Sequence, residues 1–257
     1  MFCLPNNALE IVFFDIGQGD SVFIKTPENH QILIDTGPSS MVLKRLSENM
    51  PFFDRSIDMI VLTHPDLDHI GGIVEIMKRY EVDFLLVSGV PGSSPLYHKF
   101  LDEISERIEN EKTQILNAEA FSSLNFGEVR FDILYPFSSV FSEKVKDVNE
   151  YSVSLQMHYA GKKALFCGDI SSETEQKLFL AYGGKLKSDL LKINHHGSKY
   201  SNSPSFIQIV APEIAVISAG KENNFGHPHL ETIMNLYKAN VSKIFRTDED
   251  GSVKIVF

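Results

Sequence analysis

The chain has 257 residues, 43% of them hydrophobic, and a formal net charge of −10. That length allows one large domain or two small ones, each with a sizeable core. The acidic balance excludes a basic field over the whole molecule, and with it tight nonspecific duplex binding through Lys and Arg. A nuclease stays open, because bound divalent ions reverse the local charge of a carboxylate-rich site. The two cysteines, Cys3 and Cys167, form no Cys-x-x-Cys pair, which argues against a zinc ribbon or a disulfide framework. No apolar run reaches the ~20 residues of a spanning helix. The N-terminus lacks a basic stretch followed by an apolar core, so the chain reads as cytoplasmic. No repeat, low-complexity tract or linker marks a boundary, and residues 1–257 read as one domain.

In chain order, Leu9 to Phe14, Ser21 to Lys25 and Gln31 to Ile34 read as strands, the first two joined by the turn Gly17-Gln18-Gly19-Asp20. Asp20 either caps that turn or contacts a metal ligand. Ser40 to Glu48 reads as a helix, Ile57 to Leu62 as a buried strand, and Ile70 to Tyr80 as a helix carrying Ile73, Ile76 and Met77 on one face. Asp83 to Val87 follows as a strand. Pro95 to Asn110 reads as an amphipathic surface helix, with His98 an exposed residue on it. Short strands are predicted at Gln114 to Leu116, Ala120 to Phe121 and Val129 to Leu134, then a loop over Pro136 to Val148. Ser152 to Met157 and Lys163 to Cys167 are strands, Glu173 to Tyr182 a helix, Leu190 to Ile193 a strand and Pro204 to Val210 a short helix. Ile214 to Ser218 is a strand and Leu230 to Ala239 a helix. Ile244 to Arg246 and Val253 to Phe257 close the chain as strands, with Asp250-Gly251 as their hairpin turn.

Between the strand at Ile57 and the helix at Ile70 lies Thr63-His64-Pro65-Asp66-Leu67-Asp68-His69. A strand cannot bury two His and two Asp without partners, whereas a turn can aim all four at one point. Imidazole nitrogen and carboxylate oxygen are the donors that hold Zn, Mn or Fe. The alternative is a solvated polar turn; the density of donors and the strand-to-helix context favour a metal site. Further along, Gly168-Asp169 ends a strand. His195-His196-Gly197-Ser198 ends another, and adjacent histidines there point in different directions. Gly226-His227-Pro228-His229 opens a helix, where His229 is read as an N-terminal helix residue and His227 as either a substrate contact or a structural turn.

These motifs resemble, in order, those of the metallo-β-lactamase superfamily. Asp66 stands where the usual His-x-His-x-Asp-His signature has its second His. The His-x-Asp-x-Asp-His form, with Asp15-Ile16-Gly17-Gln18-Gly19-Asp20-Ser21 and Ile34-Asp35-Thr36-Gly37, looks like the lactamase-like domain of the ComEC-type DNA-uptake proteins. Those proteins carry large membrane regions that this chain lacks. The resemblance implies an α/β fold, the four-layer αβ/βα sandwich of two mixed β-sheets. It implies two divalent ions: His64 and Asp66 on one, Asp68, His69 and His196 on the other, and Asp169 bridging. By the usual His-Gly pattern His196 takes metal and His195 faces substrate, the reverse assignment being open. No convincing third-motif His is present; His158 reads as a strand-end residue, and ComEC-like sequences have Asn in the neighbourhood of Asn149. Asp66 makes the first site oxygen-rich, which favours Mn or Mg over Zn.

The implied activity is metal-dependent hydrolysis of DNA, with single strands as the expected substrate and a membrane uptake protein as a conceivable partner. A hydroxide shared by the ions would attack phosphorus, Asp68 would serve the catalytic centre, and His195 or His227 would protonate the leaving alkoxide or hold the phosphate. Asn149, Ser198 and Lys199 are the candidate substrate contacts, and Lys192 is a candidate for backbone phosphates. Competing readings are a hydrolase of small phosphodiesters, lactones or thioesters, and a non-catalytic metal-bound module of an uptake assembly.

Overall fold

The computed structural model describes residues 8–110, 112–138, 140 and 145–257. Its first half runs β1 (Glu10–Phe13), β2 (Val22–Lys25), β3 (Gln31–Ile34), α1 (Met41–Asn49), β4 (Ser56–Leu62), α2 (Leu67–Ile70), α3 (Ile73–Met77), β5 (Glu81–Val87), α4 (Pro95–Glu109) and β6 (Gln114–Asn117). The second half runs β7 (Ser122–Phe126), β8 (Val129–Tyr135), β9 (Ser154–Tyr159), β10 (Lys162–Phe166), α5 (Ser172–Tyr182), β11 (Leu190–Lys192), α6 (Pro204–Val210) and β12 (Ile214–Ile217). It closes with α7 (Leu230–Lys238), β13 (Lys243–Arg246), α8 (Thr247–Asp250) and β14 (Val253–Val256).

The strands build two mixed sheets, ordered β14-β1-β2-β3-β4-β5-β6 and β13-β12-β11-β10-β9-β8-β7. In the first, β3 through β6 run parallel and the rest antiparallel; in the second, β10 through β13 run parallel. Apolar residues decide the stacking. Met59 and Val61 of β4 point between the sheets, beside Phe13, Phe131, Leu155 and Phe166. Ile60 and Leu62 point the other way, against Leu46, Ile73, Ile76 and Phe100 of the helices. A strand covered on both faces reads as the unbroken apolar run seen in the sequence. The second sheet repeats the plan: Leu165, Leu191, Ala215 and Ile217 face Leu178, Phe206 and Leu236 of α5, α6 and α7. The result is helix, sheet, sheet, helix, the four-layer sandwich that the motif order implies.

Three local expectations are corrected. The helix read over Ile70 to Tyr80 is broken into α2 and α3 at Gly71-Gly72. A side chain on Gly71 would sit 2.2 Å from Pro38 backbone, so the two glycines are where the helix docks on the loop after β3. The strand expected at Ala120 to Phe121 instead spans Ser122–Phe126. The closing hairpin does not form. β13 pairs with β12 in the second sheet, α8 follows, and β14 crosses to pair antiparallel with β1 in the first. Cys3 and part of the loop over Pro136 to Val148 lie outside the described residues. Among the described residues, no helix is long and apolar enough to cross a membrane.

Candidate metal centre

Parallel strands deliver their side chains to the edge where they end. Asp35 follows β3, His64 and Asp66 follow β4, Asp169 follows β10, His195 and His196 follow β11, and Ser218 follows β12. Both sheets end these strands at one edge, so motifs far apart in sequence meet there. Asp68, His69, Asp169 and His196 each present a ligand atom within 4.8 Å of the others. Asp169 Oδ2 is central, 3.3 Å from Nε2 of both His69 and His196 and 3.8 Å from His195 Nε2. Asp68 Oδ2 is 3.2 Å from His196 Nε2. On the other flank, Asp66 Oδ2 lies 3.8 Å from His64 Nε2. Asp66 holds the N-cap position of α2 without making a capping bond, which leaves its carboxylate free.

The three buried imidazoles are oriented alike. The His69 Nδ1–H donates to Asp35 Oδ2 at 2.8 Å, and the His196 Nδ1–H donates to the Ser218 carbonyl at 2.9 Å. His64 Nδ1 lies 3.1 Å from Thr63 Oγ1 and 3.2 Å from Ser152 Oγ. Both hydroxyls give their protons elsewhere, to Asp35 Oδ2 at 2.7 Å and to the Asn149 carbonyl at 2.8 Å. They therefore accept from the His64 Nδ1–H. Each Nε2 is left facing the shared hollow, the arrangement by which outer partners set the tautomer of a metal-binding His. Nε2 of His64 and of His69 and Oδ1 of Asp169 are buried without a hydrogen bond. Unsatisfied buried polar atoms are costly, and a divalent ion is the partner these fit.

The electrostatics agree. Burial opposes charge on His69 and His196, yet Asp169, with Asp35 at one ring and Asp20 at the other, holds both well above the ordinary histidine range. Asp169 is held well below the ordinary carboxylate range against its burial, by His196 and His69. An ion bound among these groups displaces the protons. His64 differs: burial, with His69 beside it, pushes it down to about 3, so its Nε2 keeps a free lone pair at neutral pH.

The backbone is bent to make this possible. His195 and His196 both adopt left-handed conformations, φ 49° and 52°, which for residues with a Cβ costs of order 1–3 kcal/mol each. What holds them is Glu175 of α5, which is 1% exposed. Its carboxylate accepts from Asn194 Nδ2 at 2.8 Å, from Ser203 N at 2.9 Å and from Asn202 N. Asn194 and Asn202 also bond to each other, so the loop from 194 to 203 closes on one buried carboxylate. Gly19, at φ +139°, lets the opening turn press on the first motif: Asp20 N donates to the Asp68 carbonyl at 3.1 Å. A Cβ there would sit 2.3 Å from that carbonyl oxygen. Gly19→Ala is expected to cost about 2 kcal/mol and to lower metal affinity. A thermal melt and a metal titration indistinguishable from those of the parent would contradict this.

At the mouth, His195 is 29% exposed at its side chain and stands nearer solvent than the buried His196. His227 packs edge-on to His195 at 5.6 Å and stacks with Phe225 at 5.8 Å. Burial and the neighbouring His196, His195 and His229 push it down to about 4, so it is neutral at neutral pH. It can accept a hydrogen bond but is a weak proton donor. His229 Nδ1 accepts from Lys199 N at 3.2 Å, a turn-building contact.

Several expected substrate contacts sit elsewhere. Ser198 is buried, and its Oγ accepts from Tyr200 N at 3.3 Å, shaping the turn. Asn149 opens a short 3-10 turn whose carbonyl orients Ser152, placing it behind His64. Lys192 is buried against Asp20 and does not face solvent. Lys199 is exposed and lies over the Tyr200 ring at 5.4 Å, the one expected contact free at the surface. Asp20 does not cap its turn; its Oδ1 is 3.3 Å from His196 Nδ1. His158 pairs with Asp132 at 2.9 Å on the second sheet. The roles of Asp35, Ser152, Glu175 and Ser218 are additions that only the folded chain reveals.

Residues 14–221 match the model of the metallo-β-lactamase superfamily. ComE operon protein 3 of Bacillus subtilis is 32% identical over 272 residues, covering 98% of this chain and 33% of the relative. Competence protein ComA of Neisseria gonorrhoeae is 29% identical over 252 residues, covering 98% and 33%. The chain thus spans about a third of the length of these relatives, both of the ComEC type that its motif order resembles. YhfI, a metallo-β-lactamase fold protein of Bacillus subtilis, superposes with a TM-score of 0.64 over 96% of this chain and 100% of its own at 10% identity, a likeness of fold alone. Fold, donor set and motif order converge: the chain belongs to the metallo-β-lactamase superfamily.

Proposed function

We propose that the chain is a metal-dependent phosphodiesterase that cuts DNA, with single strands as its preferred substrate, in the service of DNA uptake. The observation that carries the hydrolase reading is the hollow itself, where imidazole Nε2 atoms and carboxylate oxygens converge and where Nε2 of His64 and of His69 and Oδ1 of Asp169 are buried without a hydrogen bond. Asp66 beside His64 adds oxygen where a zinc lactamase would have nitrogen, which favours Mn or Mg and a phosphoryl substrate. The likeness to competence protein ComA, and the resemblance to DNA-uptake proteins, supply the nucleic-acid part.

Two divalent ions in this hollow would supply Lewis acidity and lower the pKa of water. His64, Asp66, Asp68, His69 and His196 would hold them, with Asp169 between. His195, partly exposed and 3.8 Å from Asp169 Oδ2, would give a proton to the leaving alkoxide or hold the phosphate. His227, uncharged, accepts a hydrogen bond from water or substrate. Exposed Phe225, beside His227 at the mouth, offers a stacking face for an unpaired base, a contact that is sequence-tolerant. A membrane protein delivering the strand is the partner such a module would meet.

The test is cleavage of labelled single- and double-stranded DNA by protein stripped of metal and given Mn, Mg or Zn in turn, with Asp68→Ala beside the parent. Cutting that needs metal, is strongest on single strands with Mn, and falls at least tenfold in the variant is expected. No cutting by protein that demonstrably binds metal would end the nuclease reading and turn attention to small phosphodiesters and lactones.

A further inference from the structure

Lys192, at the end of β11, is 2% exposed. An ammonium so far from water needs fixed anions around it. Its Nζ meets Asp20 Oδ2 directly and lies 3.8 Å from Asp169 Oδ1. The metal cluster therefore has two faces. On the Nε2 side of His69 and His196 lie Asp68 and Asp169 Oδ2. On the Nδ1 side of His69, Asp20 and Asp35 form with it a second group whose ligand atoms all lie within 4.8 Å of one another. Oδ1 of Asp20 and of Asp169, both buried, have no hydrogen-bond partner. Five carboxylates, Asp20, Asp35, Asp66, Asp68 and Asp169, surround the hollow. A pair of divalent ions leaves one of these negative charges over.

We propose that Lys192 is a tethered cation: its ammonium takes the place that an ion would otherwise fill beside Asp20, Asp35 and Asp169, so that divalent ions bind only on the Nε2 side. This rests on the metal-binding reading of the hollow and not on nuclease activity. An ammonium on a four-carbon stem is a point charge that cannot dissociate into solvent. It balances the last carboxylate at any metal concentration. It also divides Asp169, drawing Oδ1 to itself and leaving Oδ2 for the metal pair. Lys192 is thus a positioning residue, since it acts on the ions through Asp169 and Asp20.

Lys192→Met keeps the length of the stem and removes the charge. Metal content after equilibration with Mn, together with the electron paramagnetic resonance of the bound Mn, reads the outcome. The parent is expected to saturate at two ions per chain. Lys192→Met is expected to take up a third, with a new resonance from an ion outside the coupled pair. Asp20→Asn combined with Lys192→Met removes both members of the ion pair and is expected to return to two. Lys192→Met saturating at two overturns the proposal, as does a third ion that persists in the double variant. If Lys192→Met does not fold, anomalous diffraction from Mn-soaked crystals of the parent decides. Peaks only on the Nε2 side are expected; a peak between Asp20 and Asp35 overturns the proposal. Failure of DNA cleavage would leave each of these readouts intact.

Discussion

Asp169→Asn is expected to reduce turnover of a phosphodiester roughly a thousandfold, about 4 kcal/mol of transition-state stabilisation, while the protein stays folded. One oxygen of this carboxylate stands 3.3 Å from two imidazole Nε2 atoms and 3.8 Å from a third. No other side chain among the described residues touches both the His69 and the His196 Nε2 in this way. An amide of the same shape keeps the packing but gives up the negative charge and turns a weaker donor toward the ions. The loss should appear first in binding, with the affinity of at least one ion lowered more than the ten- to hundredfold typical of an outer partner. Metal content of stripped and reloaded protein, beside turnover of bis(p-nitrophenyl) phosphate, separates the two effects. A variant that retains both ions and works within tenfold of the parent would remove Asp169 from the bridging position.

Glu175→Ala should be the most destabilising substitution outside the metal hollow, by about 4 kcal/mol, or roughly 10 °C in Tm for a chain of this length. Three donors, Asn194 Nδ2, Asn202 N and Ser203 N, converge on its buried carboxylate. Hydrogen bonds to an ionised group are worth more than neutral ones, and the truncation leaves all three donors unsatisfied in a cavity. Burial raises this carboxyl above its ordinary range although the three donors pull it back. The damage should not stay local. The loop it closes carries His195 and His196 in left-handed conformations, which relax once the clamp is gone. Reduced metal affinity should therefore accompany the lower melting temperature. A melting temperature within about 2 °C of the parent would show that the loop holds its shape without Glu175.

The contrast between these residues explains what could be read from the chain and what could not. The cluster of candidate donors was legible because chemistry is crowded: His64, Asp66, Asp68 and His69 fall within one turn, and Asp169 and His196 each follow a strand. Asp35 sits in a recognisable motif, but its partner His69 is 34 positions away. Glu175 looks like any acid in the first turn of a helix. Lys192 read as a candidate contact for backbone phosphates, because its partner Asp20 is 172 positions distant and on the other sheet. The four layers were implied by the motif resemblance; the apolar run of β4 is covered on both faces, as a buried strand should be. The closing hairpin was misread for the opposite reason. Asp250-Gly251 has the composition of a tight hairpin turn, and nothing local records that β1 has an open edge waiting for a partner.

That open edge bears on how the protein is made. β1 is made well before its outer neighbour β14, which is supplied by residues 253–256, paired from Phe13↔Val253 to Glu10↔Val256. Until those residues leave the exit tunnel, the first sheet presents an unpaired strand to its surroundings, a template for wrong pairing. The centre is equally late, since Asp20 from the first half waits for Lys192 and His196 from the second. Within this stretch, synthesis therefore yields a half-sheet before it yields the hollow. The newborn chain is most exposed to aggregation in the interval between them, and least in need of metal.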